Sequence, residues 1–215
     1  AYSAYVTEII EDRRREPKDD LESILVGAND SGMLGTFDQK LAGHDDAQLA
    51  LANNELIMLL VVLLVAGNET TRNALSGSMQ LLIENPDERQ KLLDRPELLP
   101  VAVEEMVRLV SPVHSFTRTV TRDTTLRDKK LEAGQRVLML YPSANRDEDV
   151  FEDPEAFRIE RNALHLGFGL GPHFCLGANL ARMEMRVTFE ELLRRFPDME
   201  YADASGAVIV PSALV

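Results

Sequence analysis

The feature that most limits what this chain can fold into is one run, Phe168-Gly169-Leu170-Gly171-Pro172-His173-Phe174-Cys175-Leu176-Gly177, set directly before a strongly helical stretch. It holds the only cysteine of the chain, which excludes an intrachain disulfide. Gly169, Gly171 and Gly177 free the backbone to turn sharply and to come close to something flat and large. Backbone N–H groups that open a helix favour negative charge, and the thiolate is the form of cysteine that binds metals. A buried structural cysteine in a tight loop is the plain alternative. The complete spacing F-x-x-G-x-H-x-C-x-G favours a ligating role for Cys175.

Two further motifs precede it. Ala66-Gly67-Asn68-Glu69-Thr70-Thr71 interrupts an apolar helical run that begins at Leu56. Gly67 weakens a helix, and Thr70 can bond back to the carbonyl of Ala66. Polar groups at the depth of a buried run need a reason, and proton delivery to a buried site is one. At helical spacing Leu59, Leu63, Ala66 and Thr70 share a face. Further on, Glu105 and Arg108 stand at i,i+3 among Val101, Val103, Met106, Val107, Leu109 and Val110. A charge pair there is largely buried and needs more partners.

Together and in this order, the three motifs resemble the cytochrome P450 superfamily, most closely its soluble bacterial members. The resemblance implies a mainly α fold with small β-sheets, and haem b held by Cys175 as axial thiolate and metal ligand. Such a thiolate pushes electron density towards O–O cleavage, as is established for this family. On the A-G-x-[DE]-T-T match, Thr70 is the alcohol beside bound oxygen and Glu69 the acid that relays protons. On the E-x-x-R match, Glu105 and Arg108 form a structural ion pair that holds a meander under the haem. The third partner implied is Arg161, although the segment departs from both known forms: Ala156 replaces the arginine of P-E-R-F, and Arg158 the Asp of F-D-x-x-R. Arg118 and His173 match the partners of the haem propionates. Phe168 is placed to shield the sulfur, and Gly169, Gly177 and Ala66 to contact the haem. Leu63, Ala66, Val113, His114 and Phe116 fall where the family lines its substrate pocket. His44 and His165 have no such support.

The activity implied is insertion of one oxygen atom from O2 into a hydrophobic small molecule, such as a terpenoid, steroid or fatty acid. No flavin or iron–sulfur motif is visible, so electrons come from a separate ferredoxin-type donor, with Arg182 and Arg186 at i,i+4 as a docking patch. Peroxide-driven oxidation or isomerisation at the same iron is an alternative, but members of that kind often lack the Glu69–Thr70 pair. A non-enzymatic haem sensor is another, but no output domain is visible. Lys+Arg 23 against Asp+Glu 36 gives a net charge of −13, which argues against nucleic acid as a partner. The lone cysteine and the lack of a signal-peptide pattern at Ala1 fit the cytoplasm. The longest apolar run, 56–66, is too short to span a bilayer and reads as buried.

The chain opens inside a helical pattern, ends in an apolar stretch and has no Trp. It reads as the C-terminal part of a single domain whose first half carries a distal helix with a Trp and an Arg. The resemblance is firm over 45–201 and loose before it. Helices are expected over 2–15, 21–26, 45–84, 86–94, 100–110 and 176–196. Asp45 or Asp46 is expected to cap the long oxygen-side helix 45–84. A loop is expected over 27–43, short strands over 113–140 with a hairpin at 128–130, a meander and ligand loop over 144–177, and strand-like pieces after 196.

Overall fold

The computed structural model describes residues 2–35, 50–162 and 164–203. The chain divides into two compact units, Ala1–Asn68 and Glu69–Val215.

In the first unit, α1 (Tyr2–Arg15) closes on three arginines that suit the negative end of the helix. Asp20 caps α2 (Leu21–Asp30) by accepting from Ser23 N at 2.8 Å. This helix runs four residues past the expected end at Val26. Gly27 does not stop it, and the turn comes at Gly32, whose φ is 78°. Residues 27–30 are therefore helical rather than loop, and 36–43 lie outside the described residues. His44, Asp45 and Asp46 also lie outside them, so the cap expected there is not described.

The long helix α3 (Asn53–Glu84) is already non-helical at 50–52, and it starts on a different signal. The Glu55 carboxylate accepts from Ala52 N at 2.8 Å, the reach-back half of a capping box. Val6, Ile10 and Val26 pack with Leu56 and Leu60. The run 56–66, expected to be buried, buries only that stripe, and Met58, Val62 and Leu64 are exposed. Within this unit α1 and α2 reach one face of α3 and no more. Gly67 does not interrupt the helix. Its cost of about 1 kcal/mol is small against the 32 residues that propagate through it. The unbroken helix is long and apolar enough to cross a membrane, with a mean hydropathy of 1.3 over its best window, where the 56–66 run by itself was too short.

The second unit contains the last part of α3, then α4 (Pro86–Asp94), a 3-10 turn at Pro96–Leu98 and α5 (Leu99–Val110). Its strands are β1 (Ser115–Thr119), β2 (Thr124–Leu126), β3 (Lys129–Leu131) and β4 (Arg136–Leu140). A short helix α6 (Tyr141–Ala144), a 3-10 turn at Gly171–His173 and α7 (Ala178–Arg195) complete it. Strands β1 and β4 pair antiparallel, Ser115 opposite Leu140 and Thr119 opposite Arg136. Strands β2 and β3 form a hairpin whose turn is Arg127-Asp128, one residue earlier than expected, with Arg127 at φ 53°. Helix α7 starts at Ala178 rather than 176, because Gly177 is its N-cap. Among described residues 196–203 there is no strand.

Helix α5 is the centre of the unit. Ala102, Val103, Met106 and Val107 are buried with Ala74 and Leu82 of α3, Leu92 of α4 and Met185 and Phe189 of α7. Small residues let α3 and α5 approach closely: a Cβ at Gly77 would lie 2.7 Å from Val110 Cγ1. Helix α5 ends at Ser111 in the left-handed region, φ 43°. Two side-chain bonds hold that conformation: Ser111 Oγ donates to Arg108 O and accepts from Asn145 Nδ2, both at 2.8 Å.

Candidate functional site

The Cys175 loop is closed by backbone bonds alone. Cys175 N donates to Phe168 O at 2.9 Å, Gly169 N to Leu166 O at 2.9 Å and Phe174 N to Gly171 O at 3.0 Å. Gly169 and Gly171 sit at φ 75° and 67°, where side chains are strained. A Cβ at Gly169 would also lie 3.3 Å from His173 O. The turn presents Cys175 exposed, among Leu170, Phe174 and Leu176, the last 91% exposed. No atom lies within 4 Å of where a Cβ would stand at Gly171 or Gly177. An accessible thiol among exposed apolar side chains, with glycine faces left open, fits a broad flat apolar group such as haem. His173 is exposed in the 3-10 turn of the same loop.

Behind the loop lies a cluster that the motifs did not reveal. Glu104 receives a two-pronged bond from Arg182, Nε to Oε1 at 2.7 Å and Nη2 to Oε2 at 2.9 Å. His165 Nε2 meets Glu104 Oε2 at 3.1 Å. Gly167 N donates to His165 Nδ1 at 3.0 Å, which leaves the ring proton on Nε2, facing the carboxylate. The Arg182 guanidinium lies over the Phe168 ring, 4.4 Å from its centroid. Arg182 is therefore no free cation for docking. Its charge is engaged by Glu104 and its flat face by Phe168, and of the expected i,i+4 patch only Arg186 is exposed. The Glu104–Arg182 bond joins residues 78 apart in sequence, which no local pattern announces.

Burial pushes the Glu104 carboxyl up. The hydrogen bonds from Arg182 and His165, and the charge of Arg182, outweigh that and hold it at about 2. Arg182 is raised in turn, chiefly by its bond to Glu104 against burial, with a smaller contribution from Cys175. A carboxyl held below its ordinary 4.5 stabilises the fold fully above that value and loses the contribution as pH falls through about 2. The stability difference between the protein and Glu104→Gln is thus expected to stay constant at neutral pH and shrink in acid across that window. Denaturant melts at a series of pH values check it; a difference that does not change with pH removes Glu104 as the linked group.

Glu105 and Arg108 come together with Arg161. Both side chains of the pair are 0% exposed. Arg108 Nε and Nη2 donate to Glu105 at 2.7 and 2.8 Å. Its Nη1 donates to Asn145 O and Pro154 O, each at 2.7 Å, and Nη2 to Ala156 O at 3.3 Å. Arg161 Nε and Arg158 N both donate to Glu105 Oε1 at 3.1 Å. The Phe151 ring lies 5.0 Å under the Arg108 guanidinium.

The remaining candidates are spread along their elements. Glu69 is partly exposed and ion-paired with Arg72 one turn on. Thr70 and Leu63 are half-buried and Ala66 is exposed. Arg118 is exposed on β1 and donates to Thr117 O at 3.2 Å. Val113 is half-buried, while His114 and Phe116 are exposed. Phe116 packs edge-on to Tyr141, centroids 6.0 Å apart. A groove of about 600 Å³ runs between α4, α5 and α7, lined by Leu92, Leu99, Pro100, Met183 and Val187 among others. Arg186 of the expected docking patch lines it, and none of the haem, proton-delivery or substrate-pocket candidates does.

This arrangement has close counterparts. The pattern of the cytochrome P450 family matches residues 1–201, so the likeness extends before residue 45. A steroid C26-monooxygenase of Mycolicibacterium smegmatis is 39% identical over 100% of this chain and 50% of its own length. A methyl-branched lipid omega-hydroxylase of Mycobacterium tuberculosis is 46% identical over 91% of this chain and 43% of its own length. The chain spans about half the length of the curated relatives it matches. Among solved structures, CYP109E1 from Bacillus megaterium in complex with testosterone superposes with a TM-score of 0.83 at 37% identity, over 100% of this chain and 55% of that one. With the family pattern matching nearly the whole chain, the chain belongs to the cytochrome P450 family.

Proposed function

We propose that residues 1–215 are the C-terminal part of a single haem-thiolate monooxygenase domain that oxidises a hydrophobic small molecule with O2. The observation that carries this reading is Cys175, exposed on a backbone-closed turn with left-handed Gly169 and Gly171. When bound, the haem would supply oxygen activation. The chain supplies the rest. Cys175 holds the iron. Phe168, Gly169 and Gly177 would border the macrocycle, as the resemblance also implies for Ala66, and Arg118 and His173 would hold its propionates by charge and hydrogen bonds. Cleavage of an O–O bond consumes protons; the Thr70 hydroxyl holds one beside the oxygen site, and Glu69 passes protons in from solvent. By the family resemblance, Leu63 and Ala66 of the first unit and Val113, His114 and Phe116 of the second are the substrate-lining residues. The names of the relatives, a steroid monooxygenase and a lipid hydroxylase, favour a steroid or lipid. A separate ferredoxin-type protein delivers the electrons.

The test uses the protein that carries this chain, reconstituted with a ferredoxin and its reductase. A hydroxylated steroid or branched fatty acid is expected, with one oxygen from isotopically labelled O2. Label arriving from water would overturn the reading. In Thr70→Ala, electron uptake is expected to continue while product per electron falls. The fall is expected to be about ten-fold or more, smaller than the roughly 10²–10⁴ of a general acid because water takes over in part. Hydrogen peroxide should rise to balance it. Unchanged product per electron would remove Thr70 from proton delivery.

A further inference from the structure

Adjacent residues of a helix point about 100° apart, so the two glutamates of α5 hold different parts of the chain. Glu105 holds the meander through Arg161 and the amide of Arg158. Glu104 holds the segments that flank the Cys175 loop, and no role in the reaction accounts for it. We propose that Glu104 is a positioning residue for the thiolate turn: its carboxylate ties His165, where the chain enters the turn, to Arg182 of α7, where the chain returns from it.

The entry side is tightly built. The His165 side chain is 3% exposed and folds back onto Gly167 N. A Cβ at Gly167 would lie 2.6 Å from Val107 Cγ1 and 3.0 Å from His165 Nδ1, so ring, glycine and α5 form one packed unit. The intervening Leu166 N donates to the buried Asn145 Oδ1 at 2.7 Å. On the return side, the two bonds to the carboxylate hold the Arg182 guanidinium over the Phe168 ring. Phe168 O in turn accepts the amide of Cys175. Two routes from one carboxylate therefore converge on the turn that presents the sulfur. Glu104 also balances the Arg182 charge, which interacts with Cys175.

The proposal rests on Cys175 being the thiolate ligand, and the experiment separates the two. Amide hydrogen exchange is followed in the holoproteins of the parent, Glu104→Gln, Arg182→Lys and the double variant. A neutral amide has one acceptor oxygen, so it cannot take both prongs of the Arg182 fork, and it carries no charge to balance the guanidinium. Exchange at Leu166, Gly167 and Cys175 is therefore expected to speed up roughly ten-fold or more, as for loss of a hydrogen bond to a charged group, while exchange at Arg158 N, held by Glu105, stays at the parent rate. Arg182→Lys should loosen the same amides, and the double variant should be no worse than the worse single, since both break one linkage. The haem reduction potential should rise in Glu104→Gln, where the Arg182 charge is unbalanced, and move less in Arg182→Lys, which keeps both charges. Equal acceleration at Arg158, additive losses or unchanged exchange would overturn the proposal. A parent protein without a thiolate-type carbonyl spectrum would instead overturn the haem-thiolate reading, and the exchange rates would still decide what Glu104 does.

Discussion

In a Cys175→Ser protein, the ferrous carbonyl complex is expected to lose its thiolate-type Soret band, and monooxygenase turnover to fall by more than ~100-fold. Changes in the outer shell of a metal site already cost roughly 10–100-fold, and this change removes the ligand itself. A hydroxyl is a far weaker acid than a thiol. It stays protonated and offers the iron a poor neutral donor, so the electron push established for this family is lost. The fold should survive. The turn is closed by Cys175 N to Phe168 O, Gly169 N to Leu166 O and Phe174 N to Gly171 O, and none of these bonds uses the sulfur. The side chain is also exposed, so the exchange of sulfur for oxygen leaves no cavity. Loss of the spectrum with an unchanged denaturant midpoint of the haem-free protein would thus report on ligation alone. A variant that kept the thiolate-type band would show that another group holds the iron.

The parts of this site that were legible in the sequence are those fixed by local spacing. The i,i+3 separation of Glu105 and Arg108 dictates that they share a helix face, and their apolar neighbours dictate burial. The glycines around Cys175 announce a turn before they announce its shape. Where the fold depends on contacts distant in sequence, spacing is silent. Glu104 belongs to no motif, and Arg182 read as half of a docking patch on α7, yet the chain brings them within 2.7 Å. Ser111 and Asn145 carry no motif, yet Asn145 accepts Leu166 N, donates to Ser111 and offers its carbonyl to Arg108. The long helix was misjudged for a different reason. Gly67 read only as a weak point within a helix expected over 45–84, and the helix does run through it, since propensity is a small term beside propagation. The apolar run 56–66, however, read as buried. Burial depends on which elements are present to cover a face.

Truncating either member of the buried ion pair is expected to cost about 3–5 kcal/mol, against a total stability of roughly 5–15 kcal/mol for a domain. Arg108 places all five of its N–H donors: two on Glu105 and one each on the carbonyls of Asn145, Pro154 and Ala156. Glu105→Ala leaves that cation buried without a counter-charge and also releases Arg161 and the Arg158 amide. Arg108→Ala leaves the carboxylate still paired with Arg161, but strips partners from three carbonyls of the 145–156 segment. Arg108→Lys keeps the charge and fails too, since three donors on a flexible stem cannot replace a planar fork. The exposed pair Arg146–Glu155, with Glu155 76% exposed, is the internal control. Glu155→Ala should cost at most about 1 kcal/mol. Denaturant midpoints and haem content of the four variants give the comparison. Glu105→Ala melting like Glu155→Ala would show the pair to be dispensable. The sharper test is Glu105→Leu with Arg108→Met. Removing both charges avoids stranding the fully buried Arg108 cation and leaves only Arg161, 13% exposed, without its carboxylate, so the double variant should be more stable than Glu105→Ala. If it is the least stable of the set, the hydrogen bonds of Arg108 to the meander carbonyls, and not the balance of charge, are what hold that segment against α5.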